Sequence, residues 1–109
     1  MKYTDDYFKI KEFENDLGVI LFYREGPNKT CEIVDIASKN PGYGAGTAIY
    51  KKFENKMKND GIKNIYAFTR FTNVQAIKWY ARMGFSCEVI NNFYYDEPNF
   101  KAVIATKNL

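Results

Sequence analysis

Pro41-Gly42-Tyr43-Gly44-Ala45-Gly46-Thr47 decides how this chain of 109 residues is read. An apolar, strand-like run, Ile33-Val34-Asp35-Ile36-Ala37, precedes it, and a helix-like run from Ala48 to Lys58 follows. Alternating glycines leave backbone N–H groups unshielded by Cβ atoms. The helix start adds further N–H groups and the positive end of its dipole. Such a turn is an anion cradle suited to phosphate. Two familiar phosphate loops fail on spacing. A Walker-type loop needs four residues between its glycines and then Gly-Lys-Ser/Thr. Here three residues separate Gly42 from Gly46, and Thr47 follows with no Lys. A dinucleotide fingerprint beginning Gly42-x-Gly44 needs its third glycine where Thr47 stands.

Outward from the loop, the chain reads as alternating elements. Strands are expected over about Tyr7–Glu14, Gly18–Arg24 and Thr30–Ser38, with turns at Asn15-Asp16 and Gly26-Pro27-Asn28. A helix is expected over Gly46–Asn59. Ile49, Phe53 and Met57 form its core stripe at i, i+4 and i+8, and Gly61 is its stop. A strand over Asn64–Thr69 and a helix over Asn73–Met83, closed by Gly84, come next. Strands Cys87–Tyr95 and Phe100–Thr106 complete a hairpin around Asp96-Glu97-Pro98-Asn99. The order β-β-β-α-β-α-β-β predicts an α/β (α+β) fold. Its centre is a mixed, mostly antiparallel sheet with helices packed on it, in a single domain over residues 1–109.

Composition narrows the function classes. Nine Phe and nine Tyr among many apolar residues exclude a disordered tail. A net charge of +3 makes no case for nucleic acid or a membrane surface. Lys51, Lys52, Lys56, Lys58 and Lys63 read as a solvated face, so nucleic acid is not expected. The first residues carry no apolar signal core, and no run reaches the length of a membrane span, so a cytoplasmic protein is expected. Cys31 and Cys87 fall in strands and read as free thiols. With no His and two distant Cys, no metal site is expected, and His-assisted nucleophile chemistry is absent.

A second segment gives the glycine loop its context. Asn73-Val74-Gln75-Ala76-Ile77-Lys78-Trp79-Tyr80-Ala81-Arg82-Met83-Gly84-Phe85 reads as Asn, Ala-Ile, aromatic-Tyr, Gly-Phe, with Gly61-Ile62-Lys63-Asn64-Ile65 between it and the loop. In order and spacing these segments resemble the GNAT superfamily of acetyl-coenzyme A-dependent N-acetyltransferases, over about Glu32 to Phe85. Glu32-Ile33-Val34 followed by Gly42-Tyr43-Gly44-Ala45 is most similar to the histone acetyltransferase branch.

The resemblance implies acetyl-CoA as co-substrate, no metal, and transfer of an acetyl group to an amine. It places the pyrophosphate on the backbone of Gly42, Tyr43, Gly44, Ala45, Gly46 and Thr47. It places the pantetheine arm and the thioester carbonyl beside Ile36, Ala37 and Ser38. Asn73 and Tyr80 are seven residues apart, almost two full helical turns, and so share one face, with both implied to contact the cofactor. Tyr80 is the implied general acid for the leaving thiolate, beside a packing role next to Trp79, Met83 and Phe85. Asn73, with Thr72 as competitor, is also the local N-cap. Glu32 matches the catalytic glutamate of the histone acetyltransferase branch. Asp35 and a water chain are the other candidate bases, and strict strand alternation puts Glu32 and Asp35 on opposite faces.

Two departures matter. Family members carry Arg or Gln three residues before a loop glycine, where this chain has Lys39 or Pro41, depending on register. Family members also open with a strand and two helices, whereas the strand-like stretches before Thr30 leave no room for that helix pair. An open acceptor side suits a protein substrate, through a Lys side chain or an N-terminus, better than a small amine. A GNAT-fold interaction module or inhibitor without catalysis is the alternative, and a homodimer is left open.

Overall fold

The structure is a computed structural model that describes residues 11–14, 19–38, 44–91 and 101–109. Its elements are β1 (Lys11–Glu14), β2 (Val19–Gly26), β3 (Thr30–Ser38), α1 (Ala45–Asn59), β4 (Asn64–Arg70), α2 (Val74–Arg82), β5 (Ser86–Asn91) and β6 (Lys101–Asn108). The strands form a mixed six-stranded sheet in the order β1-β2-β3-β4-β6-β5, so the fold class and element order are those the sequence predicts. The expected start of the first strand, the Asn15-Asp16 turn and the 96–99 turn lie outside the described residues. The chain divides into two compact units, Met1–Ile65 with Asn108–Leu109, and Tyr66–Lys107.

In the first unit, β2 alternates as its sequence dictates. Val19, Leu21 and Tyr23 are buried, while Ile20, Phe22 and Arg24 between them are half-buried. The predicted stripe of α1 holds, with Ile49, Phe53 and Met57 fully buried and Tyr50 beside them. The Phe53 ring meets Tyr23 edge-on at 4.9 Å and Phe13 at 5.8 Å between centroids. Burying each such side chain is worth about 1.5–3 kcal/mol, which is what holds α1 on the strands. At its C-terminus, Gly61 N–H donates to Lys58 O (3.1 Å) and Ile62 N–H to Met57 O (2.9 Å), a Schellman closure.

β2 and β3 pair antiparallel through a tight turn whose Asn28 and Lys29 both have positive φ. The strained Lys29 is tied down through its carbonyl, which accepts from Lys63 N–H at 2.8 Å. Further along, Tyr23 pairs with Ile33 and Phe22 with Asp35, which leaves Val34 without a register partner in β2. One extra residue on one strand is a β-bulge, and it breaks the period of two. The alternation that puts Glu32 and Asp35 on opposite faces therefore does not carry across Val34.

In the second unit, β5 and β6 pair antiparallel from Ser86↔Thr106 to Asn91↔Lys101. Among the described residues there, Ala67, Phe85, Ala102, Val103 and Ala105 are buried. No residue of α2 is buried, and Ala76, Ile77, Trp79 and Tyr80 are half-buried.

Candidate functional site

β3 ends in the residues that the sequence nominates for the acyl arm. Ile36 is half-buried and Ala37 exposed; Ser38 is described by its backbone alone. Ile36 N–H donates to Asp35 Oδ1 at 2.8 Å, so this backbone donor is occupied by the neighbouring carboxylate. Of the glycine loop, Gly42 and Tyr43 lie outside the described residues, together with Lys39 and Pro41. Gly44 is the N-cap of α1 with φ 72 and ψ 7, a left-handed conformation that favours glycine. A Cβ built there meets nothing within 4 Å, so the backbone faces open space. No side chain caps α1, and its first turn holds no acidic residue. Gly46 sits against the strand end, since a Cβ built on it lies 3.9 Å from Ile36 Cγ2. The structure thus brings together Ile36 and Gly46, two of the residues nominated for cofactor contact, at the start of a helix whose own first turn carries no acid. Those residues fit a phosphate group.

Glu32 is buried, with 8% of its side chain exposed, and its Oε1 accepts from Arg24 Nε at 2.9 Å. Asp35 is exposed. Sequence reading did not find the Arg24 partner. The signal was available only through register, because Arg24↔Glu32 is a β2–β3 pair on the near side of the bulge.

In the second unit, Asn73 is the N-cap of α2, and its Oδ1 accepts from Ala76 N–H at 3.2 Å. Asn73 therefore wins the cap over Thr72. Tyr80 is half-buried, with its ring edge-on to Trp79 at 5.1 Å and to Phe85 at 5.2 Å between centroids. Those aromatic contacts fix the ring. They are the packing role foreseen for it, and they are compatible with a reactive hydroxyl. The turn after the helix is again a Schellman closure. Gly84 N–H donates to Ala81 O (3.1 Å) and Phe85 N–H to Tyr80 O (3.0 Å), with Gly84 at φ 93. The Tyr80–Phe85 ring contact is the apolar clasp that accompanies this motif.

Burial, with Glu25 and Glu32 adding to it, pushes the Cys31 thiol from its ordinary 9.0 up to about 12. Burial also raises the Cys87 thiol. Among the described residues no cluster of three or more His, Cys, Asp or Glu could hold a metal ion, and no helix is long and apolar enough to cross a membrane.

Residues 5–85 match the family model described as "Acetyltransferase (GNAT) family". Over 81 residues the chain is 31% identical to the uncharacterized protein YdhI of Bacillus subtilis (strain 168), a match covering 74% of this chain and 49% of YdhI. The chain thus spans about half the length of the curated relatives it matches. Among solved structures, a Bacillus subtilis acetyltransferase in complex with CoA superposes with a TM-score of 0.75 at 21% identity, covering 96% of this chain and 81% of that one. The ribosomal-protein-S18-alanine N-acetyltransferase of Escherichia coli superposes with a TM-score of 0.73 at 16% identity, covering 93% and 70%. At these identities the likeness is one of fold.

Proposed function

The chain belongs to the acetyltransferase (GNAT) family, and on that premise we propose that residues 1–109 act as one acetyl-CoA-dependent N-acetyltransferase domain. The observation that carries the reading is the start of α1. It is the element after β3 among the described residues, its N-cap is a left-handed glycine with open space where a Cβ would stand, and its own first turn carries no acidic residue. In this reading the N–H groups from Gly42 to Thr47 take the pyrophosphate, with Asn73 and Tyr80 as further cofactor contacts. Lys39 and Pro41 in place of Arg or Gln leave the work to the backbone, whose donors do not depend on side-chain identity.

Acetyl-CoA supplies an activated thioester. The chain's residues must free the amine, stabilise the carbonyl oxygen and protonate the thiolate. An alkylammonium has a pKa of about 10.4, so a base has to take its proton near neutrality. Glu32 is the base of this reading, with Oε1 held by Arg24 and Oε2 as its other oxygen. Asp35 is the second carboxylate on the strand. Negative charge developing on the carbonyl oxygen is received by backbone N–H groups at Ile36, Ala37 and Ser38. The Ile36 donor becomes available when Asp35 Oδ1 releases it. The Tyr80 hydroxyl gives its proton to the leaving sulfur, a step worth roughly 10²–10⁴-fold.

We assign the acceptor to the amines of proteins, on a Lys side chain or an N-terminus. Among the described residues between 11 and 38 the chain is strand and turn. One structural neighbour is named for acetylating the alanine of a ribosomal protein. Calorimetry with acetyl-CoA, followed by mass spectrometry of lysate proteins incubated with the enzyme and labelled acetyl-CoA, tests the reading. Saturable binding with label on a defined protein amine supports it. Efficient turnover of polyamines, aminoglycosides or amino acids overturns the protein acceptor. Binding without transfer to any amine favours the non-catalytic module.

A further inference from the structure

We propose that Lys107 is a positioning residue for Tyr80, acting from β6 through the turn that closes α2. The proposal rests on the reading of Tyr80 as the general acid.

None of the residues of α2 is buried, and Ala76, Ile77, Trp79 and Tyr80 are half-buried. What fixes its last turn is the closure at Met83-Gly84-Phe85. The Tyr80 carbonyl accepts from both Met83 N–H (3.1 Å) and Phe85 N–H (3.0 Å). Phe85, 5% exposed, is buried, and Tyr80 lies edge-on against it at 5.2 Å. Whatever holds residues 83–85 therefore holds Tyr80.

Lys107 holds all three. Its Nζ donates to Met83 O at 2.7 Å, a bond from a part-buried cation to the C-cap carbonyl. That carbonyl lies at the negative end of the helix dipole, where a positive charge is favoured. The same Nζ stands 5.9 Å from the centroid of the Phe85 ring, within cation–π range. The Lys107 chain also lies across Gly84, where an added Cβ would come within 3.2 Å of Nζ and 3.3 Å of Cε. The φ of 93 favours glycine at position 84, and a Cβ there would make the end of the lysine give by a few tenths of an ångström. No residue of α2 itself supplies this clamp. It comes from a strand residue 24 positions further along the chain.

The roles of a clamp and of a catalytic group separate in kinetics. A residue that only aims the acid changes kcat and leaves acetyl-CoA binding alone. The variants are Lys107→Met, which keeps the aliphatic stem and removes the charge, and Lys107→Arg, which keeps the charge. Turnover is read as thiol release from acetyl-CoA, with a pool of synthetic peptides carrying one Lys and a free N-terminus. The Tyr80 ring is read by NMR of tyrosine-labelled protein, its signal assigned with Tyr80→Phe.

Lys107→Met is expected to shift the Tyr80 ring signal and to lower kcat about tenfold, with the KM for acetyl-CoA within about twofold. Lys107→Arg restores both. In a Tyr80→Phe background, Lys107→Met lowers kcat no further, because the two residues then act as one unit. An unchanged ring signal in Lys107→Met overturns the proposal, and so does an undiminished fall of kcat in the Tyr80→Phe background. If the wild-type protein releases no thiol with any acceptor, the acid reading of Tyr80 fails. The ring signal, which needs no turnover, then decides the clamp by itself.

Discussion

Arg24 Nε and Glu32 Oε1 lie 2.9 Å apart on directly opposed positions of β2 and β3, with Glu32 buried and Arg24 one-third exposed on its side chain. Two residues beyond Glu32 the pairing is broken by the bulge at Val34. One register pair, Tyr23↔Ile33, separates the ion pair from the point where the strand departs from regular pairing and leads to Ile36 and Ala37.

Removing the two partners should cost different amounts. Arg24→Ala leaves a buried carboxylate without its cation, the costly way to break such a pair, at about 3–5 kcal/mol when both groups are buried. Water reaching the exposed side of Arg24 lowers that figure. Glu32→Gln keeps a hydrogen-bond acceptor for the guanidinium and is expected to cost about 1–3 kcal/mol. Denaturant unfolding of the two variants should rank Arg24→Ala as the less stable. The reverse order would show that Glu32 is held by contacts other than Arg24.

Tyr80→Phe removes one oxygen and keeps the ring contacts to Trp79 and Phe85. Stability should change little. If the hydroxyl protonates the leaving thiolate, kcat falls by roughly 10²-fold or more while acetyl-CoA affinity stays close to wild type. Equal turnover by the variant would leave Tyr80 as a packing aromatic only.

Cys31 predicts a pH dependence. Its thiol is fully buried and pushed up to about 12 from an ordinary 9.0. In the unfolded chain it ionises first. Between pH 9.0 and about 12 the folded state therefore holds a proton that the unfolded state has lost. Stability from this group is complete below pH 9.0 and is lost as pH rises toward 12. Urea midpoints measured from pH 8 to pH 11 should fall on the alkaline side, and Cys31→Ala should flatten that fall. At pH 8 a thiol reagent should leave Cys31 unmodified in the folded protein.

The helices and their ends were legible because their signals are local. Ile49, Phe53 and Met57 repeat at helical spacing, Gly61 and Gly84 mark closures, and Asn73 is a cap in any context. The strand before the loop was legible as a strand and not as a bulged one. The extra residue at Val34 is defined only against β2, by which residue of one strand faces which of the other. The same holds for Arg24 with Glu32 and for Lys107 with Met83. Each is a contact between residues distant in sequence, and no local pattern announces it.

Gly44 and Gly46 separate the ligand role of the loop from its folding role. Gly44 has φ 72, so any L side chain there is strained although space is open around it. Gly44→Ala should lower stability by about 1–2 kcal/mol and would confuse a binding measurement. Gly46 lies inside α1, and a Cβ on it makes only ordinary contact with Ile36 Cγ2 at 3.9 Å. Gly46→Ala should hold or raise stability by about 0.4–1 kcal/mol, since alanine restricts the unfolded chain and glycine does not. A larger side chain at the same place crowds the N–H groups that would face a pyrophosphate. Gly46→Leu is therefore expected to abolish acetyl-CoA binding by calorimetry, with a cooperative unfolding transition retained. Wild-type affinity in Gly46→Leu would move the pyrophosphate away from the start of α1 and remove the observation on which the proposed function stands.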